Sequence, residues 1–327
     1  LREDDLLELY EQIELPLVDV LLEMEMQGVR IDVDYLHELS EELDAQIQQL
    51  TETIYELAGE PFNINSPKQL SAILFDKLQL PVIKRTKTGP STDQEVLETL
   101  AEEHELPAML LEYRQLTKLK STYIDALPAL VHPETGKVHT HFNQTVTATG
   151  RLSSTNPNLQ NIPVRTEEGR RIRKAFVPSE PGWMLMKADY SQIELRVLAH
   201  ISGDEVLIDA FRSGEDIHTR TAAEVFGLAP DEVTPERRDA AKAINFGIVY
   251  GISSFGLAKG TGLTKADAQQ YIDAYFARYP GVKQYIETIK AVGREQGYVT
   301  TLFKRRRYLP DLKSRHFGRR SFAERPA

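Results

Sequence analysis

At 327 residues the chain is long enough for two or three domains with their own cores, and its lack of cysteine excludes disulfides and thiolate metal sites. No apolar run is long enough to span a membrane, and Leu1-Arg2-Glu3-Asp4-Asp5 has no signal-peptide pattern, so the expected compartment is a reducing cytoplasm. The net charge of −10 would argue against a nucleic-acid partner if it were evenly spread, but residues 1–60 hold 18 Asp and Glu against 2 Lys and Arg, leaving 31 against 37 for the rest.

After a lead-in segment, Ile31-Asp32-Val33-Asp34 introduces a long helix. Leu36, Leu39, Leu43, Ile47, Leu50, Ile54 and Leu57 repeat along it at spacings of three and four, and Gly59 ends it. Lys84 to Thr92, basic and containing Gly89-Pro90, reads as a loop suited to gripping phosphates, and a helix through Leu110 to Leu127 leads back. A β-prone stretch, Lys137 to Thr149, precedes the turn-rich Ser153 to Pro163. Trp183 to Met186 reads as a strand ending in Asp189, with Ser191 and Glu194 as a capping box for a helix from about Gln192. Helices are expected over Asp204 to Phe211, Asp216 to Phe226, Pro235 to Tyr250, and Lys265 to Tyr279 before Pro280-Gly281. An arginine-rich hairpin follows over Tyr298 to Leu309.

Two of these segments carry chemistry. An Asp at the exit of a strand is held rigidly at an edge, which suits a metal ligand. In the second, Thr234 as N-cap, Pro235 at the first helical position and Gly251 past the end delimit one helix. Arg238, Lys242, Phe246 and Tyr250 recur there every fourth residue and share a face, since each step drifts by only about 40°. Two cations near a helix N-terminus suit a triphosphate, and two aromatics further along offer a platform for a sugar or base. On an isolated helix such cations are ordinarily just solvated; the combination of the two segments is what carries the reading. The clusters Lys84-Arg85 with Lys87, Lys118 with Lys120, Arg170-Arg171 with Arg173-Lys174, and Lys304-Arg305-Arg306-Arg307 are expected to meet phosphates, making binding fall steeply with salt.

These motifs, with Thr149-Gly150-Arg151-Leu152-Ser153-Ser154, Pro157-Asn158-Leu159-Gln160-Asn161-Ile162-Pro163-Val164-Arg165, Asp216-Ile217-His218 and Glu324-Arg325, occur in the order of one family. The chain resembles the family A DNA polymerases, the family of bacterial DNA polymerase I, over essentially its whole length. The resemblance implies an α+β, multidomain right-hand polymerase fold: lead-in 1–33 packing on the palm, helical thumb 34–130, partial antiparallel-sheet palm 131–202, and helical fingers 203–327 returning towards the palm. It implies template-directed addition of deoxynucleotides to a primer 3′-hydroxyl, with primer-template DNA and dNTPs as partners. It further implies a monomer, no membrane, and a bacterial, nucleoid-associated role in replication and repair.

By resemblance Asp189 is a catalytic carboxylate holding two Mg²⁺ ions, with the Tyr190 carbonyl a further ligand. Arg238, Lys242, His218 and Arg165 grip the triphosphate, and Lys242 also protonates the departing pyrophosphate. Phe246, Tyr250 and Gln192 belong to the nucleotide pocket, where Glu194 is similar to a steric gate against a ribose 2′-hydroxyl. Arg151, Gln160, Asn161, Arg325, Lys84 and Arg85 are the implied DNA contacts. Helix 235–250 is expected to rotate against the palm on correct pairing. One departure stands out: the family's second catalytic carboxylate lies in a later His-Asp-Glu turn, and no His-Asp-Glu occurs here. The expectation is a polymerase part with at most half of the metal site and uncertain activity, lacking the final palm segment. A single-subunit RNA polymerase is the rival enzyme, opposed by Glu194 and Phe246. A module that binds primer-template and nucleotide without joining them is the rival from another class.

Overall fold

A computed structural model describes residues 1–87, 89–164 and 166–325. The chain forms two compact units: Pro16–Thr147 with Arg151–Met186, and Lys187–Ala327 with Leu1–Leu15 and Ala148–Gly150.

In the first unit, helix α1 (Leu15–Gln27) leads to α2 (Val33–Ala58). Asp32 sits in extended conformation and accepts the Tyr35 amide at 3.0 Å, and Gly59 in the left-handed region (φ 73°) closes the helix where a side chain would be strained. Of the three-four stripe, Leu36, Leu39, Leu43 and Ile54 are buried, and Ile47, Leu50 and Leu57 are partly buried. Leu36, Leu39 and Leu43 pack with Leu116, Tyr123, Ile124 and Ile172, while Ile54 and Ala58 pack with Leu70, Leu97, Leu106 and Leu110. Helix α3 (Gln94–Leu100) and helix α4 (Glu105–Leu119) complete this second core. The single helix expected through Leu127 is interrupted: α4 runs into a π-helical turn, Lys120–Ile124, before a last turn at Ala126–Ala129.

Short antiparallel pairs supply the β content of this unit. β1 (Arg30–Ile31) pairs with β6 (Phe176–Val177), β2 (Arg85–Thr86) with β3 (Gly89–Pro90), and β4 (His141–Asn143) with β5 (Ser153–Thr155). Beneath β4 and β5, Thr140 Oγ1 lies 2.7 Å from Ser154 Oγ and donates to the Pro157 carbonyl at 2.7 Å, and Ser154 Oγ accepts the Leu159 amide at 3.1 Å. These buried hydroxyls satisfy backbone groups of the turn that carries Gln160 and Asn161. Helix α5 (Glu167–Lys174), capped by Thr166, closes the unit, with Gly169 against Pro163.

The strand expected at Trp183–Asp189 does not form. The segment has no regular structure and pairs with no strand of the described residues, and Met184 and Met186 are about nine-tenths exposed. A strand without a partner leaves its amides and carbonyls to water and gains nothing from its apolar side chains.

The second unit is built on α6 (Ile193–Ser202), α7 (Glu205–Arg212), α8 (Ile217–Phe226), α9 (Pro235–Val249), α10 (Ser254–Thr261), α11 (Lys265–Arg278) and α12 (Pro280–Gln296). Leu195, Leu198, Leu207, Ile217, Ile244, Ile248, Tyr275 and Val282 form its core. Buried Asp204 caps α7 through the Leu207 amide at 3.0 Å, and its other oxygen accepts the Gly281 amide at 2.9 Å. Pro280-Gly281, read as a terminator, is thus also a beginning: Pro280 occupies the first position of α12. The hairpin forms as β7 (Tyr298–Thr300) against β8 (Arg306–Tyr308), followed by α13 (Phe317–Glu324).

That hairpin is clasped by the N-terminal segment. Lys304 pairs with Asp5 at 2.8 Å, Arg306 with Asp4 at 2.7 Å, and Arg305 with Glu14. Three of the four cations of Lys304–Arg307, expected to meet phosphates, are therefore engaged by this chain's own carboxylates. Arg171 likewise pairs with Glu42, Arg170 with Glu167 at 3.0 Å, and Lys120 with Asp44 and Asp125 at 3.1 and 2.9 Å.

Candidate functional site

Helix α9 is delimited as its sequence requires. Thr234 accepts the Arg237 amide at 3.4 Å, and Gly251 (φ 66°) follows Tyr250, the C-cap. Ala241, Ile244, Asn245 and Ile248 take the buried side. Lys242 and Tyr250 are exposed, while Arg238 and Phe246 are half-buried.

Neighbouring elements meet this face along its length. At its start, Arg238 Nε donates to Asp216 Oδ2 at 2.6 Å. Asp216 is also the N-cap of α8, accepting the His218 amide at 3.1 Å and the Thr219 hydroxyl at 2.8 Å. Burial works against the ionised carboxylate, but these donors and the guanidinium outweigh it and hold the Asp216 pKa at about 2. Further along, the His218 ring lies 5.7 Å from that of Phe246. His218 is buried, and burial, reinforced by Arg238 and Lys242, holds its pKa below the ordinary value against the opposing pull of Asp216 and Asp239. At the far end the Tyr250 hydroxyl donates to Glu194 Oε1 at 2.8 Å. There too, a Cβ built on Gly251 would lie 3.3 Å from the Arg325 Cα, which brings Arg325 against the end of α9. Asp216 is visible in the sequence as an N-cap within the Asp216-Ile217-His218 motif, and Asn245 carries no local signal.

The capping box does not form at the other motif. Helix α6 starts at Ile193, and its N-cap is Gln192 in the left-handed region (φ 53°), with no side-chain cap. Ser191 instead offers its carbonyl to Arg196 Nε at 3.0 Å, and Glu194 turns to Tyr250. A left-handed non-glycine residue costs about 1 kcal/mol or more, strain of the kind that collects at functional sites. Asp189 and Tyr190 precede this turn and are exposed.

The remaining expected residues lie in the first unit, save Arg165, which is outside the described residues. Arg151 is exposed, and its carbonyl accepts the Thr147 hydroxyl at 2.6 Å. Gln160 and Asn161 are exposed on the turn after Asn158, whose Oδ1 accepts the Gln160 amide at 3.1 Å. Asn161 also lines a cleft of about 770 Å³ with Asn158, Arg114, Gln115, Lys118 and Tyr123. Lys84 is drawn to Asp93 at 2.7 Å, and Arg85 is exposed on β2.

Residues 33–327 match the family model for DNA polymerase family A. The chain belongs to that family. It is 58% identical over 327 residues to DNA polymerase I of Geobacillus stearothermophilus and 57% identical over 327 residues to the thermostable DNA polymerase I of Thermus thermophilus. These alignments cover 100% and 99% of this chain but only 37% and 39% of the relatives' own lengths. Among solved structures it is similar to the POL domain of Pol1 from M. smegmatis in complex with DNA primer-template and dNTP. The match has a TM-score of 0.89 and 45% identity, covering 99% of this chain and 57% of that one. The α+β polymerase architecture is thereby shown. No described helix is long and apolar enough to cross a membrane.

Family A DNA polymerases use divalent metal ions. Among the described residues no group of three or more His, Asp and Glu is arranged to hold one. Asp189 and the Tyr190 carbonyl offer two oxygens where Mg²⁺ takes six in near-octahedral geometry. By themselves the described residues do not fit a pair of such ions.

Proposed function

We propose that this chain handles the nucleotide and the primer-template in template-directed DNA synthesis, with deoxynucleoside triphosphates as substrates. The observation that carries the reading is the face of α9, with its cations met by Asp216 and His218 at one end and its aromatic end tied to Glu194. Arg238 and Lys242 neutralise the triphosphate beside a helix N-terminus, and His218 adds a neutral donor. To do so Arg238 exchanges Asp216 for phosphate or shares itself between them. Phe246 and Tyr250 form the apolar wall for sugar and base, and Glu194 fills the space a 2′-hydroxyl would need. Lys242 is the proton donor to the leaving pyrophosphate. Gln192 and Arg165 complete the nucleotide contacts. Arg151, Gln160, Asn161 and Arg325, with Lys84 and Arg85, contact the DNA. Of Mg²⁺ we propose only that Asp189 and the Tyr190 carbonyl are its contacts on this chain.

Binding without catalysis is the second reading, favoured by the incomplete ligand set around Asp189. Single-turnover primer extension with Mg²⁺, beside Asp189→Ala and beside primer-template binding by anisotropy, separates the two. Extension abolished by Asp189→Ala supports synthesis by this chain. Retained primer-template binding without extension supports the binding module, and loss of both removes the proposal.

A further inference from the structure

A buried chain of polar groups runs from an ion-paired carboxylate to His218. Glu224 Oε1 is held by Arg220 Nε at 3.2 Å and Arg278 Nη2 at 2.8 Å, while its Oε2 accepts the Tyr279 hydroxyl at 3.4 Å. Tyr279 is also hydrogen-bonded to Thr221. Thr221 Oγ1 stands 3.2 Å from both Nδ2 and Oδ1 of Asn245, and Asn245 Nδ2 stands 3.0 Å from His218 Nδ1. Thr221, Asn245, His218 and Tyr279 are each at most 3% exposed.

The direction of this chain is set at its carboxylate end. A carboxylate held by two guanidinium groups is ionised and can only accept, so Tyr279 donates to it and keeps a lone pair for the Thr221 hydrogen. Thr221 then accepts from Asn245. With Nδ2 towards both Thr221 and His218, the amide uses both of its hydrogens. Rotated by half a turn, it would bury one amide N–H without an acceptor, and orphaned N–H groups are rarer and costlier than under-used carbonyls. Nδ1 is thereby the accepting nitrogen. Nε2 has no hydrogen-bond partner among the described residues and is not sealed from solvent.

We propose that Asn245 is a positioning residue which, oriented by Thr221, Tyr279 and Glu224, holds His218 as the tautomer that carries its proton on Nε2. His218 then presents an uncharged N–H donor, ready for an anionic oxygen without a prior change of protonation. Its use rests on the reading above, that this ring meets a triphosphate. The charged groups around the ring, Arg238, Lys242, Asp216 and Asp239, all stand on or at the start of α8 and α9. Burial and the two cations keep the ring neutral at pH 7.

The test is two-bond ¹H–¹⁵N correlation of the histidine-labelled 327-residue chain. Expected is a single tautomer for His218, with Nε2 protonated and Nδ1 bare, titrating below the ordinary histidine pKa. Asn245→Asp, which can only accept, should move the proton to Nδ1 and raise the pKa. Tyr279→Phe, remote from the ring, should release the chain and give a mixture of tautomers. A wild-type ring protonated on Nδ1 overturns the proposal, as does a pattern unchanged in both variants. The wild-type spectrum decides even where a variant fails to fold. If the tautomer is as stated but His218→Gln binds dNTP as tightly as wild type instead of roughly tenfold more weakly, the triphosphate reading fails and the positioning role stands.

Discussion

The hydroxyl of Tyr250 and the carboxylate of Glu194 meet at 2.8 Å, joining the end of α9 to the first turn of α6. The aromatic end of the face proposed to bind nucleotide and the carboxylate proposed to exclude a 2′-hydroxyl are thus hydrogen-bonded to each other. Glu194→Ala should narrow the preference for deoxynucleotides by roughly 10- to 100-fold, the size of effect one steric group supplies. Comparing kcat/KM for a matched dNTP and rNTP checks it, and an unchanged ratio removes the role.

Lys242 is exposed on the same face and borders the buried His218. As a proton donor its loss should slow the chemical step by about 10²- to 10⁴-fold. Primer-template affinity should move far less. Equal effects of Lys242→Ala on the incorporation rate and on DNA binding would show it to be a general phosphate contact.

Asp216 has its pKa depressed to about 2 from an ordinary 3.8, so the stabilisation it gives is fully present above about pH 4 and is lost as the pH falls towards 2. Circular dichroism across that window should show acid unfolding of the wild type with a component missing in Asp216→Asn. At neutral pH, Asp216→Ala should cost roughly 1 kcal/mol through loss of the α8 cap alone. A variant with the wild-type acid profile would mean that the pair with Arg238 contributes nothing.

Gly169 tests the turn that carries Gln160 and Asn161. A Cβ there would lie 2.4 Å from the Pro163 carbonyl oxygen and 2.7 Å from the Pro163 Cβ, too close for the backbone to stay in place. Gly169→Ala should destabilise the chain by about 1–3 kcal/mol and weaken DNA binding more than nucleotide binding. Denaturant titration and anisotropy measure the two effects, and a variant as stable as wild type would show the turn to be adaptable.

Helix α9 and helix α2 were legible because their information is local: a cap, a repeat of apolar side chains, and a glycine or proline at the right place. Pro280-Gly281 marks the end of α11 for the same reason, but nothing local announces that Pro280 also opens α12. What failed was non-local. An apolar run says that a segment could be a strand, but Trp183–Asp189 is one only if another strand lies beside it. Ser191 and Glu194 have the spacing of a capping box, yet the carboxylate is drawn to a tyrosine 56 residues away. Nor can a run of cations announce whether phosphates or carboxylates will meet it, as Lys304, Arg305 and Arg306 demonstrate. Asn245 is one polar residue on the apolar side of a helix, and nothing near it in sequence names His218 and Thr221 as its partners.

The pairing of Asp4, Asp5 and Glu14 with Arg306, Lys304 and Arg305 also orders events in time. On the ribosome, residues 16–186 can complete their own unit while the first fifteen residues wait for partners not yet made. At about 5–20 residues per second that wait lasts roughly 15–60 s. Throughout it Asp4, Asp5 and Glu14 have yet to meet those cations, and the clasp joins residues as far as 302 positions apart.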